Sequence, residues 1–201
     1  MVHDVKIFKN DCSQLEPEDI VRKYLLDGPI YFFSQYDNHN EFDFKKDIAS
    51  CLGAHLRDIA IVGSGKLGFS LKPDKDEPGL YEFKKFDFHE EFSSDLDIAV
   101  ISNSIFDEQL RSLYKFTSSY KNQEVWKAKG DKKSLAFYIL KGWIKPDFVP
   151  QNFLISNEFN DIRVRYKKEF GREINISIFK SWFFFESYHI NNIKNIQLNL
   201  L

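Results

Sequence analysis

The sequence predicts an α+β fold: a small mixed β-sheet with helices packed on one face and an acidic face on the other. Three stretches carry that expectation. The apolar run Ile59-Ala60-Ile61-Val62 ends in Gly63-Ser64-Gly65, a strand entering a tight turn. Side chains along a strand point alternately to opposite faces, so Asp95 and Asp97 share one face while Leu96, Ile98 and Val100 share the other. Glu173-Ile174-Asn175-Ile176-Ser177-Ile178-Phe179 is the clearest alternating segment in the chain, isoleucines on one side and Glu173, Asn175 and Ser177 on the other.

The remaining elements follow in chain order. Residues 1–15 show no decisive pattern. Glu16-Pro17-Glu18-Asp19 opens a helix, with proline in the first turn and acids at the positive dipole end; Asp27-Gly28-Pro29 stops it. Ile30-Tyr31-Phe32-Phe33 reads as a short strand or a buried loop, and Asp37-Asn38-His39-Asn40 as a turn. A second helix spans about Asp43 to Leu56 and feeds the Ile59–Val62 strand. Residues 71–92 form a charged insertion. Its first part, Lys72 to Gly79, is rich in proline, glycine and charge and predicts an exposed loop. Its second part, Leu80 to Glu91, alternates aromatic and charged residues. That pattern fits a small hairpin, aromatics tucked on the core, or a cover over a bound ligand.

Beyond the Asp95–Asp97 strand, Ser104 is placed to cap a helix bearing Phe106, Leu110 and Leu113. Lys121 to Lys133 carries five lysines around Trp126 and reads as a linker, a helix start, a solvated face or a local phosphate patch. Leu135 to Trp143 predicts a short helix. Phe159, Ile162, Tyr166 and Phe170 are spaced for a helix ended by Gly171; a competing strand through Ile162, Val164 and Tyr166 would turn Arg163 and Arg165 toward the site. Ser181 caps a last helix with Trp182, Phe185, His189, Ile193 and Ile196, residues 181–201.

Composition sets limits on function. At 201 residues, 43% hydrophobic and 16% aromatic, the chain suffices for one domain with a sizeable core. A net charge of −2 gives no global attraction to nucleic acid or anionic membrane. Two cysteines, Cys12 and Cys51, make neither a disulfide framework nor a zinc site, and the five histidines have no ligand spacing. No apolar run approaches a membrane span, and no export signal is read, so insertion is not expected and cytoplasm is the expected location. Gly63-Ser64-Gly65-Lys66 is not a P-loop: position 60 is Ala60 where the first glycine should stand, and Leu67 replaces the hydroxyl residue after the lysine.

The order of these motifs is the functional signal. An apolar strand runs into Val62-Gly63-Ser64, and a second strand carries Ser94-Asp95-Leu96-Asp97-Ile98-Ala99-Val100. In this the chain resembles the nucleotidyltransferase superfamily of DNA polymerase β-like enzymes, most closely the small stand-alone bacterial type in which a basic residue and a glycine follow Gly-Ser, as Lys66 and Gly68 do here. The 31 positions from Ser64 to Asp95 require an insertion between the motifs. The resemblance implies the nucleotidyltransferase fold, a Mg²⁺ (or Mn²⁺) ion held by Asp95 and Asp97, and an NTP or dNTP gripped by Gly63, Ser64, Lys66, Ser94 and Asn175. It implies a protein effector or toxin partner, in a phage-defence or toxin–antitoxin setting, with nucleic acid only as acceptor or product.

The family's third carboxylate belongs on the 173–179 strand. Its middle positions hold Asn175 and Ser177, which are not acids, so Glu173 near the strand start, or Glu90 or Glu91 of the insertion, is the candidate catalytic acid. With it, the expected activity is nucleotidyl transfer. Without it, the expectation is a weakened relative that binds nucleotide or a partner as sensor or inhibitor.

Overall fold

A computed structural model of the chain describes residues 4–35, 40–88, 93–126, 132–150, 152, 153, 155 and 157–200. Four strands form one mixed sheet in the order β1-β2-β4-β3: β1 (Ile59–Val62), β2 (Leu96–Ile101), β3 (Trp143–Ile144) and β4 (Ile174–Phe179). β1 is antiparallel to β2, β2 parallel to β4, and β3 antiparallel to β4. Strand alternation then divides the sheet. One face carries Ile59, Ile61, Leu96, Ile98, Val100, Ile174, Ile176 and Ile178, all at most 2% exposed. At about 1.5–3 kcal/mol for each fully buried aliphatic side chain, this layer is the main driving force for folding.

Three helices cover that face: α4 (Glu41–Leu52) through Phe44 and Ile48, α6 (Asn103–Phe116) through Phe106 and Leu113, and α8 (Asn157–Phe170) through Phe159, Ile162 and Tyr166. Gly53, left-handed at φ +62°, ends α4. A separate cluster joins α1 (Val5–Gln14), α2 (Pro17–Ile20, running on as a wide π turn over Val21–Leu26) and α9 (Trp182–Leu200) to Leu67, Phe69 and Phe83.

The α+β class is what the alternation predicts, but the open acidic face is only half right. The far half of the second sheet face, Ala99, Ile101, Trp143 and Phe179, is covered by Phe185, Trp182 and Tyr188 of α9. Other boundaries move for local reasons. Asp4 caps α1 by accepting from the Lys6 and Ile7 amides, in a stretch without an obvious pattern. Tyr31–Gln35 is a helical turn, α3, not a strand or loop. Ser102, not Ser104, caps α6. Trp143 belongs to β3, because Gly142 at φ +66° ends the chain's turn after α7 (Lys132–Leu140). The 159–170 segment is helical, which resolves the two readings in favour of α8. The turn expected at 37–39, part of the 121–133 segment, and Glu90 and Glu91 lie outside the described residues.

Among its described residues the insertion makes no hairpin beyond a single bridge between Phe69 and Lys85. Phe83 and Phe86 are buried, so its aromatics are tucked inward while Phe88 is exposed. A clasp ties its end to the sheet: Asp87 and Ser94 exchange backbone-to-side-chain hydrogen bonds of 2.9 and 2.7 Å. Arg172 grips Asp87 through both terminal nitrogens at 3.1 and 3.2 Å and donates to the Ser94 carbonyl at 2.9 Å. Its guanidinium lies 4.8 Å from the Phe86 ring centre and 5.1 Å from that of Phe32.

Candidate functional site

The β1–β2 register pairs Val62 with Asp97, so the chain leaves β1 directly beside that carboxylate. α5 (Gly63–Leu67) begins at this point. Gly63 stands at φ +66°, and a methyl group added there would lie 2.7 Å from Asp97 Oδ2. Only glycine meets both conditions, a left-handed backbone and close approach to an acid. The glycine–serine bend and the second aspartate are therefore in contact, although 34 residues separate Gly63 from Asp97.

On the other side, β2 and β4 run parallel with Asp97 paired to Asn175. The Asn175 amide nitrogen donates to Asp95 Oδ2 and to Asp97 Oδ1, each at 3.1 Å. One neutral amide thus spans two carboxylates and offsets part of their repulsion. Asp95 is exposed; Asp97, Asn175, Gly63 and Ser64 are half-buried. Burial holds the Asp97 carboxyl above the ordinary carboxylate range. The Asn175 amide and the Lys72 ammonium oppose that rise, while Asp95 and Asp147 add to it.

No family model, curated protein or solved structure matches the chain.

Of the residues expected at the site, Gly63, Asp95, Asp97 and Asn175 come together, with Ser64 next in the chain. Three are engaged elsewhere in the fold. Lys66 is 4% exposed and its ammonium donates to the Gly28 carbonyl. Burial pushes its pKa down to about 8, and the side chain is committed to closing α5 against the preceding loop. Ser94 is engaged in the Asp87 clasp. Glu173 precedes β4, where strand alternation does not yet hold its direction. Its carboxylate pairs with Lys167 of α8, and its carbonyl accepts from the Leu96 amide at 2.9 Å.

Two charged groups near Asp97 escaped sequence reasoning. Lys72 arrives from the insertion, and Asp147 from the short turn Pro146–Phe148 after β3. Neither sits in a motif; the β3–β4 pairing sets the turn that carries Asp147. Among the described residues no three His, Cys, Asp or Glu side chains converge as a metal cage. The donors present, two carboxylates and an amide, are hard oxygen chemistry. They fit Mg²⁺ of the kind that shares its shell with substrate phosphates and water, rather than a closed all-protein site. A surface recess of about 410 Å³ lies elsewhere, on the side of α4 and α8, lined by Cys51, Glu158, Asp161 and Arg165. It contains none of these residues.

Proposed function

We propose that the chain is a nucleotidyltransferase-type protein that binds a Mg²⁺–nucleoside triphosphate between Gly63–Ser64 and the Asp95–Asp97 pair, and transfers the nucleotidyl group to a hydroxyl of a protein or nucleotide acceptor. The observation that carries this reading is the contact of Gly63 with Asp97, which brings the glycine–serine bend beside the two carboxylates.

Asp95 and Asp97 would hold the ion, with Asn175 alongside. When bound, the ion neutralises phosphate charge and polarises the triphosphate. Gly63 and Ser64 present unhindered backbone amides to phosphate oxygens. The acceptor oxygen bonds to the α-phosphorus, the α–β bridging bond breaks, pyrophosphate leaves, and the hydroxyl proton passes to water. The chain's share of catalysis is positioning and charge complementarity. A defence or toxin–antitoxin setting, a protein partner and a cytoplasmic location belong to the same proposal.

One observation favours a second reading. Asn175 occupies the strand position opposite Asp97 and cannot take a proton, and Glu173 pairs elsewhere. A site of this composition supports binding more readily than fast chemistry, as in a nucleotide sensor or inhibitory subunit. Incubation with each labelled NTP and dNTP, plus Mg²⁺ or Mn²⁺, separates the readings. Labelled protein or oligonucleotide that disappears in Asp95→Ala/Asp97→Ala supports transfer. Metal-dependent binding without product, also lost in the double variant, supports the sensor. Absence of both binding and product ends the nucleotide reading.

A further inference from the structure

We propose that Lys145 is a phosphate-binding cation of the Asp95–Asp97 site, and that Asp147 holds its ammonium in place until a triphosphate replaces it. The proposal rests on the nucleotide reading above and names the group that meets the phosphates.

The argument begins with register. β3 pairs antiparallel to β4, Trp143 with Phe179 and Ile144 with Ile178. Lys145 is still extended, at φ −90° and ψ 121°, so the same register continued by one residue brings it abreast of Ser177. Alternation puts Lys145 on the face of Trp143, Ser177 and Asn175. Ser177 pairs with Ala99 and Asn175 with Asp97, and Ala60 pairs with Ala99. The residues between Lys145 and the acids therefore have short side chains. Lys145 stands two strands and two residue steps from Asp97, roughly 12 Å between backbones at about 4.8 Å per strand and 3.3 Å per residue, a gap that a lysine side chain and a bound phosphate span together.

The Lys145 side chain is 28% exposed, with its ammonium set among aromatic rings. It lies 4.9 Å from the Phe148 ring centre, 5.5 Å from Tyr138 and 5.6 Å from Trp143. Aromatic faces attract a cation without neutralising it. Among the described residues it forms an ion pair with Asp147 Oδ2 at 3.3 Å, and the Asp147 side chain is 70% exposed. Such a pair is weak, and a triphosphate carries several charges to its one. Tyr188 packs 4.7 Å from Trp143 on this same face. Lys66, the basic residue of the motif, is bonded to Gly28 instead.

The test measures binding of MgATP, MgGTP and Mg²⁺-tripolyphosphate by calorimetry. The parent is compared with Lys145→Ala, Lys145→Met, Lys145→Arg and Asp147→Asn. Lys145→Met keeps the stem against the rings, and thermal unfolding shows whether each variant folds as the parent does. Loss of a charge-assisted contact weakens all three ligands about tenfold or more in Lys145→Ala and Lys145→Met. Lys145→Arg restores binding and Asp147→Asn tightens it, a pattern that a merely structural lysine would not give. Parental affinity in folded Lys145→Met, with binding lost in Asp95→Ala/Asp97→Ala, overturns the role of Lys145 and leaves the nucleotide site standing. Failure of the parent to bind any of the three overturns both.

Discussion

The sheet face that carries Asp97 has two halves of opposite chemistry, built on the same strands. Ile101, Phe179 and Trp143 form one cross-strand row, 3%, 2% and 8% exposed, and α9 lays Phe185 on it at 0%. Four residues earlier on β2 and β4, Asp97 and Asn175 form another row, half-buried, with Val62 beside them and Asp95 exposed at the strand entrance. The strands do not distinguish the halves; their coverings do. α9 anchors in the first half and continues to the α1–α2 cluster through Ile193 and Ile196. The second half is bordered by charged groups that act on Asp97, the Lys72 ammonium and the Asp147 carboxylate. The lesson is that apolar packing on one half of a face permits uncompensated polar groups on the other. Stability and chemistry should then respond to substitution separately.

The largest effect expected from that division is on the sealed half. Phe185→Ala removes a fully buried ring that meets Phe179 at 5.2 Å and Trp182 at 5.4 Å. It should cost about 3–5 kcal/mol in urea denaturation, while the surviving folded fraction still binds Mg²⁺–nucleotide. A loss below about 1 kcal/mol would mean that α9 is a loosely docked cover, and the distinction between the halves would fall.

A smaller effect tests the contact at the seam. Gly63→Ala meets two penalties, a left-handed backbone and the Asp97 oxygen at 2.7 Å. Gly53→Ala meets only the first: its φ is +62° and nothing lies within 4 Å of the added methyl. Both should lose about 1–2 kcal/mol from backbone strain. Only Gly63→Ala should also displace the carboxylate and lower nucleotide binding. Equal binding in the two variants would show that the bend and Asp97 do not cooperate.

Local alternation made much of the apolar layer and the Asp95–Asp97–Asn175 face legible in the sequence. Ile98, Ile176 and their neighbours needed only a period of two, and parity alone put Asn175 on the side of the acids. What was not legible depends on contacts distant in sequence. Lys66 looks like a phosphate ligand in its motif, yet tertiary packing turns it to Gly28. Glu173 shares the parity of Asn175, but it lies one residue outside β4 and follows Lys167 instead. Trp143 completes an apolar helical pattern, and only Gly142 and the edge of β4 make it a strand residue. Asp147 and Lys145 follow from that same error, because a helix through Trp143 would have pointed the next turn away from the sheet.

The smallest effect is a pH dependence in the polar half. Burial raises the Asp97 pKa in the folded chain above its ordinary value of 3.8. Between the two values the native state binds the proton that the unfolded state has released, so stability falls as pH rises through that window. Above it the full cost persists; below the ordinary value both states are protonated and the cost is absent. Asp97→Asn removes the titrating proton and keeps an oxygen toward the Asn175 amide. It should therefore be slightly more stable than the parent at neutral pH in the absence of metal, with the difference closing in acid. Added Mg²⁺ should reverse the order, because an ion bound only by the native carboxylates stabilises the parent by mass action. Denaturation curves for both proteins at neutral and acid pH, with and without Mg²⁺, give the four values needed. A parent that is the more stable protein without metal would place Asp97 with the sealed half rather than the polar one.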